Sequence, residues 1–534
     1  HLLDIRYLSD PAWSPDGSQI AFIWDEGGIQ DIWVVTFAEA KLKKISQSKG
    51  KIGRPVWSRD GNIIYAQEGV LFFWESPGDN AVPIHDAPQG ISDFDLSPDG
   101  KFVVCSRNGD LWSFSLESNQ VFRLTSSPQL EDLPRFSPDG QNISFISVPP
   151  LEQVSEIPLE LTGPKLAFLS TKYENTDVGI ISASGGEPTW VSRSPENELN
   201  PRWSPDGKKV VIEKRTRDCK RREIIVKNLV ADQEMPIFEE NTQKWIYELS
   251  QESYWSPRGD NLSFISDRDG WCHLYIFNLE RKTLVQATQG EYEVSYPAWS
   301  PDGTKIAFAS NSGSLIERQI WVMSFPKGKP EKITETRGTN IMPIWSPDGK
   351  KLAYLHSDPY TVLDIWTKTL PKGDSKQLTS AMPEALDKKA FSPPEFLYYE
   401  SSDGLKIPAF LFKPKGFDAT KKYPAIIWIH GDGILQNRYG WHPSKNYGIY
   451  YGFHQYLLQK GYVVLSVDYR GSIGYGRDFM QGHYMDLGGK DCDDVLKGAE
   501  HLRSLDFVNP ERIGLWGLSY GGYLTLQAII RSPE

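Results

Sequence analysis

The chain has 534 residues, 39% hydrophobic and 24% charged, with a net charge of −11. Such a length predicts two or more domains, and such a composition a folded, globular chain rather than a disordered one. The acidic balance excludes a nucleic-acid binder, which needs a basic face to displace counterions, and no apolar run reaches the roughly 18 residues of a membrane helix.

The only basic cluster, Lys220-Arg221-Arg222, reads as a solvated loop. Cys105, Cys219, Cys272 and Cys492 lie far apart without C-x-x-C spacing. They read as reduced, mostly buried thiols, so neither a metal site nor a cofactor is expected.

In chain order, the first element is a repeat. An aromatic residue or Leu precedes Ser-x-x-Gly, most often Ser-Pro-Asp-Gly. Copies begin at Trp13, Trp57, Leu96, Phe136, Trp203, Trp255, Trp299 and Trp345, spaced by 44, 39, 40, 67, 52, 44 and 46 residues. Pro fixes φ, Asp bonds back to the backbone and Gly takes φ > 0, so each copy is a turn. Short β-rich runs such as "QIAFIW" and "DIWVVTF" follow. Four short strands per roughly 40–45 residues are the blade of a β-propeller, and the leading aromatics should pack between blades. Eight copies favour eight blades. Seven would result if one copy marked an insertion. The longest gap contains "PPLEQVSEIPLELTGPKLAFLS", expected to form a loop or hairpin projecting from a blade. Glu131 and Asp132 precede the fourth copy and could hold a peptide's amino terminus; the alternative is a solvated turn.

The repeat stops near Ala385. The expected organisation is a propeller over 1–384 and an α/β-hydrolase domain over 385–534, a β plus α/β multidomain chain. "FLYYESSDGLKIPAFLFKPKG" reads as a hairpin around Ser402-Asp403-Gly404. "YPAIIWIH", "YVVLSV" and "RIGLWG" read as strands buried on both faces, and "KDCDDVLKGAEHLRSL" as an amphipathic helix. Alternating strands and helices imply a mainly parallel sheet.

The last strand leads into Gly517-Leu518-Ser519-Tyr520-Gly521, a G-x-S-x-G between a strand and a helix. In that context Ser519 is the expected nucleophile, raised on a strained elbow. The oxyanion donors are expected from the Tyr520 backbone N–H and from the His430-Gly431-Asp432-Gly433 loop, with Gly431 and Asp432 the candidates. His430, His442, His454 and His483 all precede the serine. The hydrolase order is Ser, then acid, then His, so none suits the base, and His430 reads as loop-shaping. Only fifteen residues follow Ser519, without His or Asp. The chain therefore reads as truncated, with acid and histidine missing, and by itself inactive.

"VDYRGSIGYGRDF", "LGGKDCDDVLKGAEHL" and "FVNPERIGLWGLSYGGYLT" resemble the prolyl oligopeptidase family of serine peptidases. The similarity extends to its dipeptidyl-peptidase and acylaminoacyl-peptidase branches and spans the whole chain. It implies Ser519 as nucleophile, Tyr520 as oxyanion donor, and a propeller that admits only short peptides. "HGDG" departs at Asp432 and Gly433 from the acylaminoacyl-peptidase His-Gly-Gly-Pro. The paired-glutamate motif of the dipeptidyl-peptidase branch has no clear copy. The alternatives are a catalytically incomplete binding protein or an esterase on the same core. Short peptides are the expected partners, nucleic acid and membrane are not, and a homo-oligomer stays open. A cytoplasmic location is the default expectation. Periplasmic or secreted placement also stays open, because the chain opens on His1.

Overall fold

The computed structural model describes residues 2–149, 176–192, 194–246, 253–431 and 435–533. Eight four-stranded antiparallel sheets follow one another in sequence order, as an eight-bladed propeller requires. The first blade comprises Arg6–Trp13, Gln19–Glu26, Ile29–Thr36 and Leu42–Lys44. The insertion expected in the longest gap lies outside the described residues. Among the described residues, no helix is long and apolar enough to cross a membrane.

The repeated turn is built as its residues dictate. In six copies the serine Oγ donates to the aspartate two residues on, at 2.5–2.6 Å. All eight glycines have φ between 67° and 78°. In the sixth copy Arg258 replaces the aspartate, and Ser256 donates to Asp260 instead, at 2.8 Å.

The leading aromatics do more than fill space. The Trp57 indole N–H donates to the Ala12 carbonyl (3.1 Å), Trp203 to Arg135 (3.2 Å), Trp255 to Arg202 (3.0 Å) and Trp345 to Ala298 (3.0 Å). Each acceptor immediately precedes the previous blade's own aromatic. Trp13 donates in the same way to Ile344 (3.2 Å), so the first blade docks on the eighth and the ring closes. Phe136 has no indole, and there its backbone N–H reaches Asp95 at 2.9 Å.

Five of the innermost strands carry a β-bulge just before the aromatic. Asp10, Leu133, Asn200, Tyr296 and Met342 take φ between 52° and 56° there, and each precedes a proline. A proline donates no N–H, and a bulge is where a strand can spare one.

The basic cluster is not a solvated loop. Arg221 and Arg222 open the strand Arg221–Asn228. Arg222 is fully buried between Glu213 (3.0 Å) and Glu240 (3.1 Å). The guanidinium is tolerated inside because acids two strands apart meet it, as buried charge requires.

The last propeller strand is Ser375–Gln377. Five strands then form one sheet, in the order Glu395–Glu400, Lys406–Phe412, Val463–Val467, Tyr423–Ile429, Val508–Gly517. The first two form the expected antiparallel hairpin, whose second strand, Lys406–Phe412, pairs antiparallel with Val463–Val467; the last three run parallel. Helices α1 (Lys445–Gln459), α2 (Arg477–Met480), α3 (Lys490–Arg503) and α4 (Tyr520–Arg531) complete the unit. Loops at the C-terminal ends of the parallel strands face the propeller. Lys445 pairs with Asp25 at 2.6 Å, Arg477 N–H donates to the Gly270 carbonyl at 2.7 Å, and Asn311 donates to that of Gly474 at 3.1 Å. Ligands of open α/β sheets bind at that edge.

Candidate active site

Ser519 ends the Val508–Gly517 strand's turn and caps α4. Its backbone lies at φ 53°, ψ −116°, a region that a non-glycine residue occupies only under strain, and its side chain is exposed. The turn is this tight because its flanking residues are glycines. A Cβ on Gly517 would lie 2.4 Å from the Gly521 carbonyl carbon, and one on Gly521 would lie 2.1 Å from the Ile429 carbonyl oxygen. Those neighbours are backbone and cannot swing aside. Gly521→Ala should therefore lower stability by about 3 kcal/mol, the upper range for overpacking, and misplace Ser519; a urea melt checks the first effect.

The loop after Tyr423–Ile429 packs directly on this elbow. A Cβ on Gly431 would meet the Leu518 carbonyl oxygen at 2.6 Å, Ser519 Cβ at 3.2 Å and the Tyr447 hydroxyl at 3.0 Å. Gly431 thus stands beside the serine, where one of the two expected loop donors belongs. Asp432 lies outside the described residues. Tyr447, near the start of α1, escaped the sequence reading. Nothing local marks it, since only the packing of α1 over the loop brings its hydroxyl to Gly431.

His430 lies under the loop. It is fully buried and stacked on Tyr469, with ring centroids 4.4 Å apart. Its Nδ1 donates to the Gly431 carbonyl and its Nε2 lies beside Ser472 Oγ, both at 2.9 Å, while the Ser472 hydroxyl donates to the Tyr469 carbonyl at 2.7 Å. Burial pushes the His430 pKa down to about 4, so the ring is neutral, with its proton on Nδ1. Tyr469 donates to the His430 carbonyl at 2.9 Å. His442 accepts from the Ser444 N–H at 3.0 Å; His483 sits against the Arg470 carbonyl at 3.3 Å and stacks on Trp245. His454 is buried among Phe412, Trp428 and Trp516. No hydrogen bond links any of the four to Ser519.

The Tyr520 phenol donates to Asp491, whose pKa burial pushes up to about 6. This anchors the start of α4 to α3. Behind the site, Arg470 makes a fork to Asp494 (2.8 and 2.9 Å) and a second to Asp403 (2.8 and 2.9 Å). One guanidinium thereby joins the loop after Val463–Val467, helix α3 and the hairpin turn.

Glu131 and Asp132 do not form a turn. They lie in the strand Leu130–Phe136 of the fourth blade. Asp132 accepts from Ser106 Oγ at 2.5 Å. Glu131 is 2% exposed and lies towards Thr125 and Arg123, and burial raises its pKa.

The model of the TolB beta propeller domain matches residues 163–407, and that of the prolyl oligopeptidase family matches 450–534, which holds the elbow. By these matches the chain resembles the prolyl oligopeptidase family. The uncharacterized peptidase YuxL of Bacillus subtilis is 25% identical over 97% of this chain and 70% of its own length. Dipeptidyl-peptidase 5 of Porphyromonas gingivalis is 24% identical over 98% of this chain and 75% of its own. The crystal structure of Porphyromonas gingivalis dipeptidyl peptidase 4 superposes with a TM-score of 0.77 at 18% identity, covering 98% of this chain and 80% of that one. That last likeness concerns the fold alone.

Proposed function

We propose that this protein is a serine peptidase that removes short pieces from the amino-terminal end of peptides, in the manner of a dipeptidyl peptidase. The observation that carries the reading is the exposed Ser519 on its strained elbow, with Gly431 packed against it. Ser519 Oγ adds to the scissile carbonyl. The oxyanion is met by the Tyr520 backbone N–H, at the positive end of α4, and by the Gly431–Asp432 loop. The Tyr447 hydroxyl beside Gly431 is a third donor in this reading. The C–N bond then breaks, the amine leaves with a proton, and water hydrolyses the acyl-enzyme. In this reading none of the four upstream histidines supplies the base: His430, His442 and His483 are hydrogen-bonded elsewhere, and His454 is buried among aromatic rings. The Asp132 carboxylate accepts from Ser106 and keeps lone pairs for the substrate's amino group in this reading, whereas Glu131 is 2% exposed.

A substrate panel tests the reading. Dipeptidyl nitroanilides, their N-acetylated forms, internally cleavable peptides and p-nitrophenyl esters are assayed in parallel. The expected result is release of nitroaniline from the free-amine dipeptidyl substrates and little from the acetylated ones. Turnover of esters alone would leave an esterase on the same core. Tight peptide binding without turnover would leave a binding protein.

A further inference from the structure

Two arginines meet near the candidate site without an acid between them. Arg318 comes from the seventh blade and is 5% exposed. Arg438 follows the Gly431 loop, deep enough that burial holds its pKa down, yet it keeps part of its surface accessible. A side chain that is both deep and accessible lines an internal space. The two guanidiniums share one neutral acceptor, the Gln436 amide oxygen, with Arg318 donating at 2.7 Å. Gln436 is fixed from the other side by the Leu315 carbonyl, at 3.0 Å. Among the described residues, neither arginine has a carboxylate within 4 Å.

The nearby acids are engaged. Glu293 accepts the Gly474 N–H at 3.1 Å. Asp468 accepts from the Asn437 backbone (2.9 Å) and side chain (2.7 Å) and from Tyr475 (2.6 Å). Both carboxylates act on the arginines through space, but neither forms an ion pair with them, so the guanidinium edges are left without a bonded anion. Arg438 also keeps a binding edge. Only its Nη1 meets an acceptor among the described residues, and its buried Nε has none. The Nε–Nη2 edge is one of those with which a guanidinium grips a carboxylate through two parallel bonds.

Arg438 lines a small cavity of about 20 Å³, together with His442, His454 and Tyr447. A water needs roughly 10–15 Å³, so the space suits two oxygen-sized groups, as in a carboxylate. Both His454 ring nitrogens lack partners although the residue is only 3% exposed. Tyr447, whose hydroxyl stands beside Gly431, lines this cavity together with Arg438 and so links it to the wall of the candidate site.

We propose that Arg438, backed by Arg318, is an anion subsite of the substrate cavity that takes a carboxylate of the bound peptide. The carboxylate is an acidic side chain or the free C-terminus; both present the same group to the fork. The identity of this ligand rests on the peptidase reading, while the unfilled guanidinium edge of Arg438 does not.

Two measurements test it. In the first, kcat/KM is compared for peptides differing only in Glu against Gln at each position around the cleaved bond, and in a free against an amidated C-terminus. A preference for one acidic form of about tenfold to a hundredfold is expected, the value of one charge-assisted pair. It should collapse to under threefold in Arg438→Gln and recover only in part in Arg438→Lys, which keeps the charge but not the fork. No acidic preference, or one untouched by Arg438→Gln, overturns the proposal; which substrate pair responds tells side chain from C-terminus. In the second, calorimetry follows glutarate, with glutaramide as its neutral control, binding to the full chain carrying Ser519→Ala. Glutarate binding that Arg438→Gln abolishes supports the anion subsite even where no peptide is cleaved. Equal binding of glutarate and glutaramide, or of glutarate to both proteins, overturns it. Thermal melts accompany both, and Arg438→Gln should fold, because it removes a buried charge that has no ion pair.

Discussion

In a form of the protein that hydrolyses peptides, replacing Ser519 by Ala should lower kcat by about 10⁴–10⁶ and leave the melting temperature unchanged. The loss is the scale on which removing a triad nucleophile acts, with oxyanion stabilisation and binding accounting for what remains. The unchanged stability follows from the geometry. The side chain is exposed and makes no hydrogen bond, and the backbone at φ 53° is held by Gly517 and Gly521, which the substitution leaves in place. Steady-state kinetics on the best nitroanilide substrate measure the first effect and circular dichroism the second. A fluorophosphonate probe should label the parent enzyme and not the variant. Retention of more than a hundredth of the activity would show that another group is the nucleophile.

Arg470→Ala should destabilise the fold by about 3–5 kcal/mol, the largest stability effect expected of any single charged residue near the site. Arg470 is 4% exposed and Asp494 fully buried. Removing the guanidinium strands the Asp494 carboxylate in a low-dielectric interior, and that desolvation dominates the penalty. Asp403 loses its partner too, but it is more exposed and contributes less. The double variant Arg470→Met/Asp494→Leu should recover much of the loss, because a buried ion pair costs nearly as much to desolvate as it returns. Urea unfolding measures both. A fall in midpoint at constant slope is expected for the single variant, and a loss under 1 kcal/mol would sink the argument. Activity should fall as well, since Tyr469 and Ser472 of the same loop hold His430 and, through it, Gly431.

The propeller was legible in the sequence because a Pro-Asp-Gly turn is decided within five residues: φ of Pro, the short Ser-to-Asp bond and a glycine at positive φ. The elbow was legible for the same reason, since Gly517 and Gly521 mark a turn that other residues cannot make. Eight turns favoured eight blades over seven, and the eight four-stranded sheets bear out the larger number.

Contacts that span large separations were not legible. The aromatic repeat implied packing between blades, but not the indole-to-carbonyl bond that five of its six tryptophans make, nor that Trp13 would reach Ile344 across 331 residues to close the ring. The Lys220-Arg221-Arg222 cluster looked like solvated charge because its acids, Glu213 and Glu240, come from neighbouring strands. Tyr447 and Arg438 carry no local mark either. One acquires its place when α1 settles over the Gly431 loop, the other when the seventh blade brings Arg318 to Gln436. Turn chemistry is short-range and therefore written in the chain. The pairing of buried charge and the lining of a cavity are properties of a finished interior, and only the tertiary structure decided them.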